Sequence, residues 1–220
     1  MQSISVFNCQ TGFDIKKLKN VHSDHQEKVN GQNEKLTTNL YVNEDINIDQ
    51  NTVYKKCIVS MDEVIKIKAR VFGKNVNEVI VQNSYDIYVN ESTGALSCLA
   101  NKNSADQIQK FLSDEFDIIY DRKIFDLNNI MSSAHDVKRA QFRKLTIQTL
   151  SGSAISGNQV NSTAIYNTMN QAGDLSTIAV VYPFNSRDIN FSVSSTGSIV
   201  LFSTLDDNEI TDFILNLEQI

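Results

Sequence analysis

Ser84–Phe116 reads SYDIYVNESTGALSCLANKNSADQIQKFLSDEF, and Ser186–Leu217 reads SRDINFSVSSTGSIVLFSTLDDNEITDFILNL. Each stretch begins with a short alternating strand containing Asp-Ile, at Asp86–Ile87 and Asp188–Ile189. Each then turns at Thr-Gly, Thr93–Gly94 and Thr196–Gly197, where glycine supplies a positive φ at little cost. A second strand follows over Ala95–Ala100 and Ser198–Ser203, and both stretches close with a helix. Ile108, Phe111 and Leu112 match Ile210, Phe213 and Ile214, an i, i+3, i+4 stripe that lies on one helical face. Ser104 with Gln107, and Asp206 with Glu209, predict capping-box starts. One-residue shifts are needed to align the pair, so the expected duplication is degenerate.

Working outward, Glu78–Gln82 and Thr177–Tyr182 are apolar runs suited to strands ahead of the two hairpins. Ser162–Gln171 carries a helix signature, with Ser162 as N-cap and Gly173 just past the end. Its counterpart, Ser60–Phe72, holds two conflicting signals. Ile65, Ile67, Ala69 and Val71 alternate with Lys66, Lys68 and Arg70, as in a strand, yet Ser60 with Glu63 forms a capping box and Gly73 stands at a helix stop. The repeat decides for helix. Strands at Val53–Val59 and Phe142–Leu150 open the two units.

Each unit thus reads β-α-β-β-β-α. In element order this resembles the halves of TATA-binding-protein-like folds, a resemblance that implies a mainly antiparallel, curved sheet with helices on one face. The expected class is α+β. Residues 1–50 form an N-terminal extension, with a strand at Ile4–Phe7, a short helical stretch at Phe13–Leu18, a polar loop over Ser23–Asn39 and a strand at Leu40–Val42. Residues 51–120 form the first repeat, 121–141 a basic connector and 142–220 the second, acidic repeat.

The 220 residues are 41% hydrophobic, enough for a core, and no apolar run approaches the roughly 18 residues of a membrane span. No membrane partner is expected. Met1–Gln10 holds no cation and no long apolar run, so no leader is expected there. Cys9, Cys57 and Cys98 are odd in number and far apart, which predicts free thiols and a cytoplasmic setting. One proline, Pro183, and abundant Ile, Asn and Lys fit an AT-rich coding source of the kind common in phages and mobile elements.

Charge is segregated. Residues 1–50 hold 5 cations and 7 anions, 51–150 hold 14 and 12, and 151–220 hold one cation, Arg187, against 7 anions. A symmetric duplex-gripping saddle needs cations from both halves, so it is excluded. A local nucleic-acid site remains open at the connector. A helix over Ser133–Lys144 would gather His135, Lys138, Arg139, Phe142 and Arg143 in one arc, with Lys138, Arg139 and Arg143 on phosphates and Phe142 stacking a base. The favoured alternative is a solvated connector with Phe142 in the core. Lys66, Lys68 and Arg70 pose the same choice, and again a solvated face is expected.

Catalytic constellations are thin. His22 and His25, with Asp24 and Cys9, lack the further ligands that zinc requires, so neither a metal nor another cofactor is expected. Cys57 and Cys98 sit in apolar strands and read as core packing. Ser151–Asn158, SGSAISGN, lacks the Lys-Ser/Thr of a phosphate loop, and no G-x-S-x-G elbow occurs. Asp117 with Asp121 and Lys123 supplies the residue types of a Mg²⁺-dependent nuclease at tight spacing. Asp206, Asp207, Glu209, Asp212 and Glu218 crowd the last predicted helix; Asp206, Asp207 and Glu209 lie near its N-terminus and complement its dipole, and the alternative is that Asp206, Asp207, Glu209 and Asp212 face a basic partner. The leading expectation is a non-catalytic interaction protein of phage, mobile-element or defence type, meeting a protein partner through sheet and acidic-helix surfaces. Nucleic-acid binding and metal-dependent nuclease activity are the alternatives.

Overall fold

The computed structural model describes every residue except Phe13. In chain order its strands are β1 (Gln2–Cys9), β2 (Val21–Val29), β3 (Gln32–Asn47), β4 (Val53–Val71), β5 (Lys74–Asn90), β6 (Leu96–Cys98), β7 (Tyr120–Arg122), β8 (Asp136–Arg143), β9 (Gly152–Ser156), β10 (Asp174–Phe184), β11 (Arg187–Ser194) and β12 (Ser198–Leu201). The helices are α1 (Lys102–Phe116), α2 (Leu127–Ser133), α3 (Ala164–Ala172) and α4 (Asp207–Gln219). The fold is α+β, dominated by one antiparallel sheet ordered β2-β3-β4-β5-β6-β1-β12-β11-β10-β8-β9, with β7 pairing to β1.

Both hairpin–helix stretches form. Gly94 and Gly197 adopt φ +71° and +78°, the left-handed values that their turns require. The two hairpins end in β6 and β12, which flank β1 on its two sides. At α4 the capping box is complete: Asp206 accepts from Glu209 N–H at 2.9 Å, and Glu209 accepts from Asp206 N–H at 3.1 Å. At α1 the cap is one turn earlier than expected. Asn101 accepts from the N–H groups of Asn103 and Ser104, and the Ser104 hydroxyl donates to Glu63 at 2.7 Å instead.

The sheet carries a core on each face. Successive residues of a strand point to opposite faces. On β5, Ile87 and Val89 pack with Ile108 and Leu112 of α1, while Tyr88 between them belongs with α4. On β1, Ile4 and Val6 join the α4 core, with Phe213, Ile214 and Leu217, whereas Phe7 joins the α1 core. α2 and α3 lie on the α4 side through Ile130, Met131 and Tyr166. The helices therefore do not share one face, because the central strands bury side chains in both directions.

Further expectations give way. Of Ser60–Phe72, all but Phe72 is strand, inside β4, because it pairs along β5 from Ser60↔Ser84 to Val71↔Lys74, with one bulge between Lys66 and Ala69, and Phe72 opens the turn. The unit order β-α-β-β-β-α fails there, and Glu78–Gln82 and the first hairpin strand merge into one long β5. Ser23–Asn39 is the β2–β3 hairpin and not a loop, paired from Val21↔Leu40 to Val29↔Gln32. Residues 136–143 are strand rather than helix, and α3 is capped by Thr163, one residue after Ser162. Of the short helix expected at Phe13–Leu18, Ile15–Lys17 forms a 3-10 turn, and Phe13 lies outside the described residues.

Candidate functional site

β4 and β5 have 19 and 17 residues, far longer than the other central strands. Met61 is the last buried residue of β4 and Ile87 the first of β5, so the hairpin continues as an arm about 30 Å past the core. The β2–β3 hairpin supports this arm partway. At its tip, Asn30 N–H donates to the Glu78 carboxylate at 2.8 Å and the Asn30 amide donates to Glu78 C=O at 2.7 Å. The Asn30 side-chain oxygen also accepts from the N–H groups of Asn77 and Glu78. Beyond these bonds only the two strands of the arm remain, closing at Phe72–Gly73.

That closure is a two-residue turn with both central residues in the left-handed region, Phe72 at φ +47° and Gly73 at φ +80°. Such turns favour Asn or Asp first, since a Cβ is strained there. The two comparable turns of this chain follow the rule, with Asn30 (φ +49°) before Gly31 and Asn185 (φ +47°) before Ser186. Phe72 departs from it and is also 101% exposed. Val71 beside it is 45% exposed. Lys66, Lys68, Arg70 and Lys74 surround the tip with no acidic residue over positions 66–76. Among the described residues none of these four makes an ion pair. Arg70 Nε donates to Gly73 C=O at 3.3 Å and so braces the turn.

At the base of the arm, α1 and the β2–β4 strands enclose a groove of about 500 Å³. Leu36, Met61, Ile108 and Phe111 give it an apolar floor. Glu27, Asp62, Glu63, Asp114 and Glu115 line it, against Lys110. Glu63 is held in place by the hydroxyls of Ser104 (2.7 Å) and Tyr85 (3.1 Å), and Asp62 accepts from Thr37 N–H at 2.9 Å. Asp114 and Glu115 are exposed on α1.

At α4, Asp206, Asp207, Glu209 and Asp212 are engaged within the chain. Asp206 caps the helix, Glu209 meets Arg187, and Asp212 accepts from the Asn185 amide at 3.1 Å. Asp207 accepts from Tyr88 OH at 2.6 Å and from Lys56 Nζ. Burial opposes ionisation of Asp207, but the bonds from Lys56 and Tyr88 outweigh it and hold the carboxyl below its usual range. In the connector, Lys138 is bonded to Asp136 (2.6 Å) and Asn158 (2.7 Å), while Arg139 and Arg143 are exposed on β8. Phe142 is 2% exposed and packs edge-on against Tyr166, so it cannot stack a base.

Nucleophilic chemistry finds no support in the geometry. Burial pushes the Cys57 thiol up to about 12 and the Cys98 thiol higher still, which removes the thiolate at neutral pH. His135 Nδ1 lies 2.9 Å from Asp188, and Ser186 lines the same shallow hollow, but both members of the pair are half-exposed or more and no hydrogen bond joins the hydroxyl to the ring. His22 bonds to Asn39 and Asp24 on the exposed face of β2, and those bonds raise its pKa. Asp117 is the left-handed C-cap of α1, and Asp121 lies exposed on β7. Among the described residues no three His, Cys, Asp or Glu side chains are grouped to hold a metal.

Among the described residues no helix is long and apolar enough to cross a membrane. In comparison with known proteins, the sequence matches no family model and no curated protein.

The sequence points to Lys66, Lys68 and Arg70 but not to Phe72, whose spacing reads as the end of a helix. The signal that could have found it is a bulky aromatic directly before the glycine of a two-residue hairpin turn.

Proposed function

We propose that this chain is a non-catalytic interaction protein that binds a protein partner through the β4–β5 arm. The observation that carries the reading is Phe72, held in a strained turn with its ring in water and four unpaired cations around it. Backbone strain and exposed aromatic surface both destabilise the free molecule, and a bound partner offsets both. The acidic helix is the weaker surface, because Asp206, Asp207, Glu209 and Asp212 already serve internal bonds. Nucleic-acid binding through Lys138, Arg139, Phe142 and Arg143 is weaker again, since Phe142 is core and Lys138 is paired.

A degenerate duplication remains part of this reading, supported by the paired hairpin–helix stretches on either side of β1. So do the repeat boundaries at 51–120 and 142–220, the cytoplasmic setting, which rests on the free cysteines, and a phage, mobile-element or defence origin. A photo-crosslinking residue placed at Phe72, and in parallel at Asn30, tests the arm in producing cells. Nuclease-resistant protein adducts from position 72 and few from position 30 support the reading. Equal yields from both, or none, contradict it.

A further inference from the structure

We infer that the arm tip of one copy docks in the acidic groove at the arm base of a second copy, so that the chain associates head to tail. The inference rests on the arm being a binding element and names its partner.

Tip and groove are opposite in charge. The tip offers Lys66, Lys68, Arg70 and Lys74 around the exposed rings and methyls of Phe72 and Val71. The groove offers the exposed carboxylates of Glu27, Asp114 and Glu115, with Asp62 and Glu63 bonded within the chain and Lys110 beside them, over a floor in which Val64 and Phe111 keep part of their surface open. Its volume of about 500 Å³ admits an aromatic ring with room for flanking side chains. A nucleic-acid strand or an anionic lipid surface would complement the tip cations, but it would leave the groove without a counterpart. A second copy satisfies both surfaces at once.

The tip cannot reach the groove of its own chain. Val64 lines the groove, and β4 runs on from there to Phe72, paired along β5, a separation of about 25 Å. Contact is therefore between molecules. Because tip and groove are different surfaces, the contact is heterologous and generates a ring if its rotation closes, or a filament if it does not.

Two variants separate the halves of the contact. Phe72→Asn places the residue used at the other two turns and removes the ring. Asp114→Lys with Glu115→Lys reverses charge at two exposed positions near the C-terminus of α1, where cations suit the helix dipole. Circular dichroism and melting check that each remains folded. The unmodified chain is expected to associate with rising concentration, at least tenfold more weakly at about 0.5 M salt than at about 0.05 M. Each variant alone is expected to stay monomeric, while their equimolar mixture forms a dimer of twice 24.7 kDa and no larger species, since one intact tip then meets one intact groove. An unmodified chain that is monomeric throughout, a variant that associates as the unmodified chain does, or a mixture that stays monomeric overturns the inference. Should adducts still form from position 72 with a different protein, the arm remains a binding element and only the self-docking fails.

Discussion

At the scale of single residues, Phe72 and Asp207 show two different uses of an unfavourable position. Phe72 occupies the left-handed region at an exposed turn, a conformation that costs about 1 kcal/mol for a residue with a Cβ and less for Asn. Phe72→Asn is therefore expected to raise stability by about 0.5–1 kcal/mol in urea unfolding, even as it removes the binding element. A loss of stability would mean that the ring packs usefully in the free chain. Asp207 is instead satisfied where it sits, by Tyr88 OH and Lys56. Its folded carboxyl lies below 3.8, so its contribution is present above that pH and is lost as pH falls through the folded value. Lys56 is opposed by burial but raised above 10.5 chiefly by its bond to Asp207, so its contribution is present below 10.5 and lost as pH climbs through the folded value. Asp207→Asn is expected to flatten the acid limb of a stability–pH curve below about pH 4, with little change in the slope around neutrality. Sequence could show that Asp207 stands near a helix start, but not that Tyr88, 119 positions away, would reach it. Glu63 was misleading for the same reason: as a capping residue it fitted the local spacing, yet its partners are Tyr85 and Ser104.

Among the elements, the hairpin–helix pairs were legible because their turns need glycine and their helices show a clean apolar stripe. The β11–β12 turn binds this logic to the centre of the sheet. A Cβ on Gly197 would lie 2.7 Å from Val6 C=O and 2.8 Å from Lys123 C=O, both backbone atoms that cannot move aside, whereas one on Gly31, at a similar φ, would meet nothing within 4 Å. Gly197→Ala is expected to destabilise by about 3 kcal/mol or more and Gly31→Ala by about 1 kcal/mol, compared by thermal or urea melts. Equal losses would mean that the turn at Gly197 is free to withdraw from β1. The β2–β3 hairpin was not legible, because β2 is polar on both faces and gives no alternation to detect. The arm was misread for a related reason. Its outer half buries little on either face, so helix and strand signals compete with no burial pattern to decide between them.

Across the whole molecule, summing charge over long segments hid the feature of most consequence. Residues 51–150 are nearly balanced, yet this window contains both the acid-free tip at 66–76 and the groove acids Asp62, Glu63, Asp114 and Glu115. Only the fold separates them, sending one set to the end of a 19-residue strand and leaving the other against α1. The expected single-faced layering also failed at this scale, because β1 and β5 bury alternate side chains in two cores and the helices divide between them. A chain so arranged carries complementary ends, and sedimentation velocity of the unmodified protein across a hundredfold range of concentration at low and high salt tests that property most directly. A mean sedimentation coefficient that climbs with concentration at low salt and falls back at high salt is the predicted result. A single 24.7 kDa species under every condition would contradict it.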